Sequence, residues 1–449
     1  MSKYFGTDGF RGEANKSLTV DHAFKIGKYL GWYYGRNHKA RIVIGKDTRR
    51  SSYMFEYALC AGLTSTGADA YLMHVTTTPS ISYITRTDDF DCGIMITASH
   101  NPYYDNGIKL MNSFGEKMEE NVIDLLEEYL DSDRVLPFAE RENIGRTVDY
   151  AAGRNRYIGH LISLATRSYK GIRVGLDCAN GATWQMAKNI FDTLGADTYV
   201  TANMPDGLNI NVDCGSTHLD NLKKFVLQNH LDVGFAFDGD ADRCLAVDEQ
   251  GNEINGDKIM YICAKYMKDT GIFGKSKVVT TVMSNIGLYK ALDKIGIGYE
   301  KTAVGDKYVA ENMRQNGHLL GGEQSGHIIF GRLSSTGDGL LTAIKVMEVI
   351  TEDHQPLSVL AAPVTIYPQV LKNVVVTDKD ETMNSPAVQA AVSKAEEELG
   401  DTGRVLLRKS GTEPLLRVMA EAETYEECEK YVDMIIDSMR QDGKLIKEQ

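Results

Sequence analysis

The sequence predicts an α/β protein with three similar α/β domains that contain mixed sheets, followed by a smaller α+β domain. Short runs rich in valine and isoleucine end in glycine or aspartate and are followed by amphipathic stretches, as strands and helices alternate in such folds. Three pairs of these runs stand out. Their first members are residues 41–44, 172–176 and 277–281, and their second members are residues 93–97, 233–237 and 318–320. This repetition predicts one α/β unit used three times.

Changes of pattern along the chain predict the domain boundaries. A group of apolar residues recurs at helical spacing, namely Met118, Val122, Leu125, Leu126 and Tyr129. A charged stretch follows up to residue 146, and the pattern changes again near residues 363–368. Thr424 and Glu427 form a capping-box pattern for a closing helix. The expected domains are residues 1–150, 151–252, 253–366 and 367–449.

Composition and charge exclude several classes of function. The 449 residues carry a formal net charge of −13 and no polybasic run, so nucleic acid and acidic membrane surfaces are poor candidate partners. The seven cysteines are scattered and never form a C-x-x-C pair, which argues against a disulfide framework or structural zinc. The sequence begins without an apolar signal region and has no apolar stretch long enough to cross a bilayer. A cytoplasmic protein is expected.

A serine follows the second strand of the first pair. Residues 97–102 read Thr-Ala-Ser-His-Asn-Pro, which places the Ser99 hydroxyl beside polar groups at the end of a buried strand. Ligands of open α/β sheets bind beyond the carboxyl ends of strands. Ser99 is therefore a candidate nucleophile or phosphoryl carrier. The alternative is that Ser99 and Asn101 only supply turn hydrogen bonds before Pro102.

Three carboxylates alternate after the second strand of the second pair. Residues 238–243 read Asp-Gly-Asp-Ala-Asp-Arg, and alternate side chains of an extended loop share one face. Asp238, Asp240 and Asp242 can thus meet one Mg²⁺, and their mutual repulsion favours a metal site over a solvated acidic turn. An EF-hand does not fit, since its glycine and its later glutamate are not at the required offsets. Mg²⁺ facing a phosphorylated Ser99 would withdraw charge from the transferring group, and Arg243 would add a positive donor.

Two further loops carry groups suited to a sugar phosphate. Residues 321–327 read Gly-Gly-Glu-Gln-Ser-Gly-His, in which Glu323 and Ser325 can point at one ligand, with a plain turn as the alternative. His327 is either a proton shuttle or a satisfied polar residue. Residues 408–414 read Arg-Lys-Ser-Gly-Thr-Glu-Pro and, with Arg417, are a candidate cradle for the phosphate that does not react. The alternative for this segment is a basic surface turn.

Positive charge also occurs elsewhere in the first domain. Arg11 lies among glycines, and further cations are Lys46, Arg49 and Lys109. Each of them either serves the site or is an ordinary surface cation, which is the commoner fate of lysine and arginine.

Taken together, these loops in this order resemble the alpha-D-phosphohexomutase superfamily over the whole chain. The segments that carry the resemblance are residues 4–12, 97–102, 238–243, 322–327 and 408–414. Three segments favour the glucosamine branch of that superfamily: Glu-Gln-Ser-Gly-His at 323–327, Cys-Gly-Ser-Thr-His at 214–218 and Thr-Gly-Asp-Gly at 336–339.

The resemblance implies four domains around a central cleft and a reaction through phospho-Ser99. That reaction interconverts glucosamine 6-phosphate and glucosamine 1-phosphate through a bisphosphorylated sugar, in the synthesis of UDP-N-acetylglucosamine and peptidoglycan precursors. One Mg²⁺ per chain on phospho-Ser99 and the three aspartates, a sugar bisphosphate as activator, and a homodimer through the first domain are implied too. The implied catalytic residues are Ser99, Arg11, His100, Lys109 and His327. The implied substrate-binding residues are Arg243, Glu323, Ser325, Arg408, Ser410, Gly411, Thr412 and Arg417.

Lys307 departs from the branch, in which arginine is expected at this position. If the position contacts substrate, a bidentate contact becomes a point charge and specificity changes. The alternatives to a glucosamine phosphate mutase are the same mechanism on glucose or mannose phosphate, a phosphatase, and a non-catalytic phosphosugar-binding protein. A binding protein would not need Ser99 and the three aspartates.

Overall fold

The computed structural model describes residues 3–6, 8–410 and 415–448. The chain forms two compact units. The first unit comprises Met1–Met283 and Ile297–Pro363, and the second comprises Ser284–Gly296 and Val364–Gln449.

The first part of the first unit is built on a seven-stranded sheet. Its strands β1 to β7 are Phe5–Gly6, Gly9–Glu13, Arg41–Lys46, Asp69–Val75, Cys92–Ile96, Asp105–Asn112 and Thr147–Asp149, in the order β1-β2-β6-β5-β3-β4-β7. Helices α1 to α4 are Val20–Tyr34, Arg50–Ser65, Thr78–Thr87 and Glu120–Asp131. A capping box of Thr19 and His22 starts α1. Apolar residues of β3, β5 and β6 pack with those of α1, α2 and α4 in one core.

Helix α4 begins after Met118 and confirms the helical periodicity of the remaining predicted residues, with one exception. Val122, Leu126 and Tyr129 are buried, whereas Leu125 is exposed. Leu125 lies one position before Leu126 and therefore projects about 100° away from the buried stripe.

A five-stranded sheet follows. Strands β8 to β12 are Arg173–Asp177, Asp197–Thr201, Val233–Phe237, Cys244–Asp248 and Glu253–Ile254, in the order β12-β11-β10-β8-β9. Helices α5 to α7 are Ala151–Ser163, Ala187–Thr193 and Asp220–Asn229. Every residue of β10 and β11 is buried, as expected for strands in the centre of a covered sheet.

The third sheet of the first unit has four strands. Strands β13 to β16 are Val278–Thr281, Tyr299–Thr302, Leu320–Gly322 and Ile328–Phe330, in the order β14-β13-β15-β16. Helices α8 to α12 are Gly256–Asp269, Ile286–Lys294, Asp306–Asn316, Gly339–Asp353 and Leu357–Ala361, of which α9 belongs to the second unit.

The second unit contains an antiparallel sheet covered by helices. Strands β17 to β20 are Gln369–Val376, Arg404–Lys409, Leu415–Glu421 and Leu445–Glu448, in the order β18-β19-β17-β20. Helices α13 to α15 are Lys379–Met383, Pro386–Leu399 and Tyr425–Gln441. The capping box of Thr424 and Glu427 starts α15, as predicted. Short 3₁₀ helices lie at Arg141–Asn143 and Gly400–Thr402.

The three sheets of the first unit share one arrangement. Each predicted strand pair forms parallel neighbours, namely β3 with β5, β8 with β10, and β13 with β15. The second strand of each pair then turns back antiparallel, into β6, β11 and β16 respectively. The third pair begins its second strand at Leu320, two residues later than predicted. The predicted fold class is confirmed.

Candidate active site

The Ser99 loop connects β5 to β6, and its conformation is unusual. Ser99 has a left-handed backbone (φ 52°) and is only 1% exposed. Its amide donates to Thr97 Oγ1 at 2.9 Å, and its hydroxyl donates to Asp238 Oδ2 at 2.6 Å. A left-handed serine is uncommon and marks a constrained position. The hydroxyl is thus directed at the carboxylate loop, which a simple turn before Pro102 would not require.

The carboxylate loop connects β10 to β11 and gathers the three aspartates. Oxygen atoms of Asp238, Asp240 and Asp242 lie within 4.8 Å of one another, and all three side chains are buried. Asp240 Oδ1 and Asp242 Oδ1 have no hydrogen-bond partner. Buried carboxylate oxygens without partners are costly, and hard oxygen ligands are those that Mg²⁺ and Ca²⁺ prefer. The residues present therefore fit a metal ion.

Lys109 of β6 lies against the same carboxylates. Its Nζ is 2.8 Å from Asp240 Oδ2, 2.9 Å from Asp242 Oδ2 and 3.1 Å from Asp8 Oδ2. Burial lowers the pKa of Lys109, but the charges of Asp240 and Asp242 outweigh it and raise the pKa well above its usual value. Burial, followed by the charges of Asp242 and Asp240, raises the pKa of Asp238 well above its usual value.

Arg11 and His327 both lie on a chain of charged groups that leads away from Lys109. Arg11 pairs with Asp8, and Lys117 bridges Asp8 (3.4 Å) and Asp306 (2.7 Å). His327 is 3% exposed, and its Nε2 lies 3.6 Å from Asp306 Oδ2, beyond hydrogen-bond distance. The structure thus places His327 beside Asp306 and not in hydrogen-bond contact with Ser99.

His100 lies between Ser99 and Arg243. Its Nδ1 is 3.1 Å from Arg243 Nη1 and 3.4 Å from Ser99 Oγ. Burial, followed by the charges of Arg243 and Arg11, lowers the pKa of His100 to about 4. His100 is therefore neutral at pH 7, and its Nδ1 accepts a hydrogen bond from Arg243.

The third loop connects β15 to β16 and touches the carboxylate loop. The amide of Cys244, the first residue after the carboxylate loop, donates to the Gly326 carbonyl at 3.0 Å, so the three loops do converge in the first unit. Glu323 Oε1 accepts from the Gly305 amide at 3.3 Å, and Ser325 is exposed. Lys307, the unusual residue of this region, pairs with Glu120 of α4.

The second unit carries the predicted phosphate-binding residues. Arg408 of β18 lies directly opposite Arg417 of β19, and Ser410 is buried just after β18. Gly411 and Thr412 lie outside the described residues. Burial, followed by the charge of Arg417, lowers the pKa of Arg408. Like charges opposite each other destabilise a sheet, so this pair favours a bound anion.

Lys46 and Arg49 are buried, so the alternative that they are ordinary surface cations is excluded. Arg49 is completely buried beside Asp47, and Lys46 is buried in a pair with Glu56. Residue type alone predicts exposed positions for lysine and arginine. The acidic partners that allow these two side chains to be buried are identified only by the fold.

Sequence reasoning also missed two polar residues that contact the loops. Thr78, at the start of α3, donates its amide to the Asp240 carbonyl at 3.0 Å and its hydroxyl to Asp240 Oδ2. Asn211 donates to the Ser99 carbonyl at 2.9 Å. These residues are distant in sequence from their partners, and the only available signal was the short distance of Asn211 from the Cys-Gly-Ser-Thr-His segment at 214–218.

Comparison with known proteins identifies the class. Four family models match: phosphoglucomutase/phosphomannomutase alpha/beta/alpha domains I, II and III at residues 2–135, 155–251 and 255–367, and the C-terminal domain at residues 371–438. The chain therefore belongs to the phosphoglucomutase/phosphomannomutase family of phosphohexomutases.

Full-length relatives narrow the comparison. The phosphoglucosamine mutase of Lachnospira eligens is 65% identical over 447 residues, which cover 99% of both chains. Among solved structures, a phosphoglucomutase/phosphomannomutase family protein from Burkholderia thailandensis has a TM-score of 0.81 at 21% identity, covering 99% of this chain and 98% of that chain. Aspergillus fumigatus N-acetylphosphoglucosamine mutase, solved with GlcNAc-6P and magnesium, has a TM-score of 0.68 at 18% identity, covering 99% and 96%.

No helix in the described part of the chain is both long and apolar enough to cross a membrane.

Proposed function

We propose that this protein is a phosphoglucosamine mutase, an isomerase that interconverts glucosamine 6-phosphate and glucosamine 1-phosphate through phospho-Ser99. The observation that carries the proposal is the 2.6 Å hydrogen bond from Ser99 Oγ to Asp238, which joins a buried hydroxyl to a carboxylate cluster suited to a metal ion. The relatives at 47–65% identity over 98–99% of the chain, all phosphoglucosamine mutases, support the choice of substrate.

In the proposed reaction, phospho-Ser99 donates its phosphoryl group to the free O1 of glucosamine 6-phosphate. The bond from Ser99 Oγ to phosphorus breaks, a bond from O1 to phosphorus forms, O1 releases its proton to a base, and Ser99 Oγ takes up a proton. The bisphosphorylated sugar then reorients and returns its 6-phosphate to Ser99. This second transfer leaves glucosamine 1-phosphate, which is released. A free sugar bisphosphate would act as the activator that phosphorylates Ser99.

The charged residues would act mainly by electrostatic stabilisation of the transferring phosphoryl group. Lys109 and Arg11 would stabilise the transferring phosphoryl group. Burial, together with the charge of Arg243, would keep His100 neutral beside Ser99. Asp238, Asp240 and Asp242 would hold Mg²⁺ together with a phosphoserine oxygen, and the ion would withdraw charge from the phosphoryl group. His327 is our candidate for proton transfer, since Lys109, which three carboxylates keep charged, is a poor base.

The remaining assignments are proposed on the same basis. Glu323 and Ser325 would bind sugar hydroxyls, and Arg408, Ser410, Gly411, Thr412 and Arg417 would bind the phosphate that is not reacting. The four domains would be residues 1–150, 151–252, 253–366 and 367–449. We also propose a homodimer through the first domain. All seven cysteines are buried free thiols, which supports the proposal of a reducing, cytoplasmic environment.

Phosphorus NMR tests the proposed function directly. Purified protein is incubated with Mg²⁺, a trace of glucose 1,6-bisphosphate, and the 6-phosphates of glucosamine, glucose or mannose in separate samples. We expect the glucosamine 1-phosphate signal to appear fastest. A preference for glucose or mannose would contradict the substrate assignment, and release of inorganic phosphate alone would indicate a phosphatase. No change in any sample would favour a phosphosugar-binding protein.

A further inference from the structure

Two buried side chains bind the main chain around Ser99, one from a residue earlier in the sequence and one from a residue later in the sequence. Arg49 Nη2 donates to the Ser99 carbonyl at 3.2 Å and to the Asn101 carbonyl at 2.6 Å. Asn211 Nδ2 donates to the same two carbonyls, at 2.9 Å and 3.2 Å. A carbonyl oxygen has two lone pairs, so both acceptor positions of each carbonyl are filled. These four hydrogen bonds fix the Ser99–His100 and Asn101–Pro102 peptide groups.

Both donors are themselves fixed. Arg49 is 0% exposed and pairs with Asp47, which also accepts from the Arg49 amide at 2.9 Å. Asn211 is buried, and its own amide donates to the Ala179 carbonyl at 2.9 Å. Arg49 follows β3 of the first sheet, whereas Asn211 lies between β9 and β10 of the second. The Ser99 loop is therefore held by parts of both sheets.

The carboxylate loop approaches the Ser99–His100 peptide group. A Cβ atom on Gly239 would lie 2.6 Å from the Ser99 carbonyl oxygen and 3.1 Å from Asn211 Nδ2. Glycine thus lets the loop that bears Asp238 pack directly on the carbonyl that Arg49 and Asn211 hold. A shift of that carbonyl would change the position of Ser99 Oγ relative to Asp238.

We propose that Arg49 and Asn211 form a carbonyl clamp, defined by these two side chains, that positions Ser99 for phosphoryl transfer. The clamp keeps Ser99 in its left-handed conformation with the hydroxyl directed at Asp238. Its residues are positioning residues: they act through the Ser99 backbone and on the step in which phosphate enters or leaves the hydroxyl. The inference rests on the proposed function and adds two residues to it.

The test uses the full-length protein and three variants. Asn211→Gly removes the donor amide while tolerating the left-handed backbone of this position (φ 60°). Arg49→Lys keeps a positive charge beside Asp47 but loses the planar fork. Asn15→Gly is the matched control, since Asn15 is exposed and also left-handed (φ 63°). Circular dichroism and thermal melting establish the folded fraction of each variant.

We expect Asn211→Gly and Arg49→Lys each to lower kcat by about 10-fold to 100-fold, as small displacements of a reacting group do. KM for glucosamine 6-phosphate should stay within about two-fold of wild type, because the clamp makes no contact with substrate in this assignment. Transfer of phosphate from glucose 1,6-bisphosphate to Ser99, followed by intact mass, should slow in parallel. Asn15→Gly should behave as wild type.

A double variant examines whether the two residues act as one unit. Because they share both acceptors, the loss in Arg49→Lys/Asn211→Gly should be smaller than the product of the single losses. Multiplicative losses, a wild-type kcat in Asn211→Gly, or a rise in KM at constant kcat would each overturn the proposal. If the wild-type protein itself isomerises no sugar phosphate, the proposed function fails instead, so the two failures are distinguishable.

Discussion

The Ser99 region of the first unit and the arginine pair of the second unit differ in how their charged side chains are paired. Around Ser99, buried carboxylates alternate with cations, and Lys109 alone contacts three aspartates. In the second unit, Arg408 and Arg417 face each other across two strands, and burial followed by the charge of Arg417 lowers the pKa of Arg408. The first region still has unpaired carboxylate oxygens and so favours a further cation, whereas the second favours an anion.

The largest expected effect comes from removing the hydroxyl at the centre of the first region. Ser99→Ala should lower mutase turnover by at least about 1,000-fold, because no phosphoryl carrier remains. Turnover is measured by phosphorus NMR on glucosamine 6-phosphate. The control is Ser163→Ala, since that hydroxyl donates to the His160 carbonyl of its own helix. Normal turnover by Ser99→Ala would remove Ser99 from the mechanism.

Metal removal tests the claim that the first region favours a cation. Chelation should abolish turnover, and added Mg²⁺ should raise Tm, because a ligand that binds only the folded state stabilises it. At about 100 times its Kd, the ion would contribute about 2.7 kcal/mol.

Asp242→Asn should weaken that rise in Tm, whereas Asp133→Asn, at an exposed position, should leave it unchanged. An equal response to Mg²⁺ in Asp242→Asn and wild type would contradict the metal assignment.

Removing one arginine of the pair should weaken substrate binding without lowering the stability of the fold. Arg417→Ala should raise KM by about ten-fold, since a charged hydrogen bond to phosphate is lost. Tm should stay close to that of wild type, because relief of the repulsion with Arg408 offsets the other contacts that Arg417 loses. Steady-state kinetics and thermal melting measure the two effects. Lys394→Ala, which removes a positive charge at an exposed position of helix α14 in the same unit, is the control. Unchanged kinetics in Arg417→Ala would take this residue out of phosphate binding.

The smallest effect concerns a buried carboxylate of the first unit that is bound by neutral donors. Asp338 accepts from Tyr157 and the Leu341 amide, and burial, only partly offset by these bonds, raises its pKa to about 6. Between about pH 4 and pH 6 the unfolded chain releases this proton while the folded chain keeps it, so this group makes stability fall as pH rises.

Asp338→Asn should remove that dependence, so that its Tm relative to wild type is higher at pH 7 than at pH 4.5. Asp124→Asn, exposed on α4, serves as the control. A constant difference in Tm between Asp338→Asn and wild type across this range would contradict the raised pKa.

The repeated strand pairs were predictable because buried strands and their terminal polar residues are local patterns. Ser99 and the three aspartates were recognisable as a group for the same reason, since each loop directly follows its strand. Arg49, Asn211 and Thr78 were not predicted as loop contacts, because their partners lie 50 to 162 positions away in sequence. The placement of His327 beside Asp306 likewise depends on the packing of α10 and was beyond local patterns.

The hairpin arrangement of the three loops has a consequence for how such a protein diversifies. Each loop begins and ends on two adjacent antiparallel strands, so hydrogen bonds of the sheet hold both of its ends. Residues within one loop can therefore be exchanged without altering the strand register that holds the other two. Three units of one arrangement thus carry separate tasks, with a hydroxyl in the first, carboxylates in the second and a glycine-rich segment in the third.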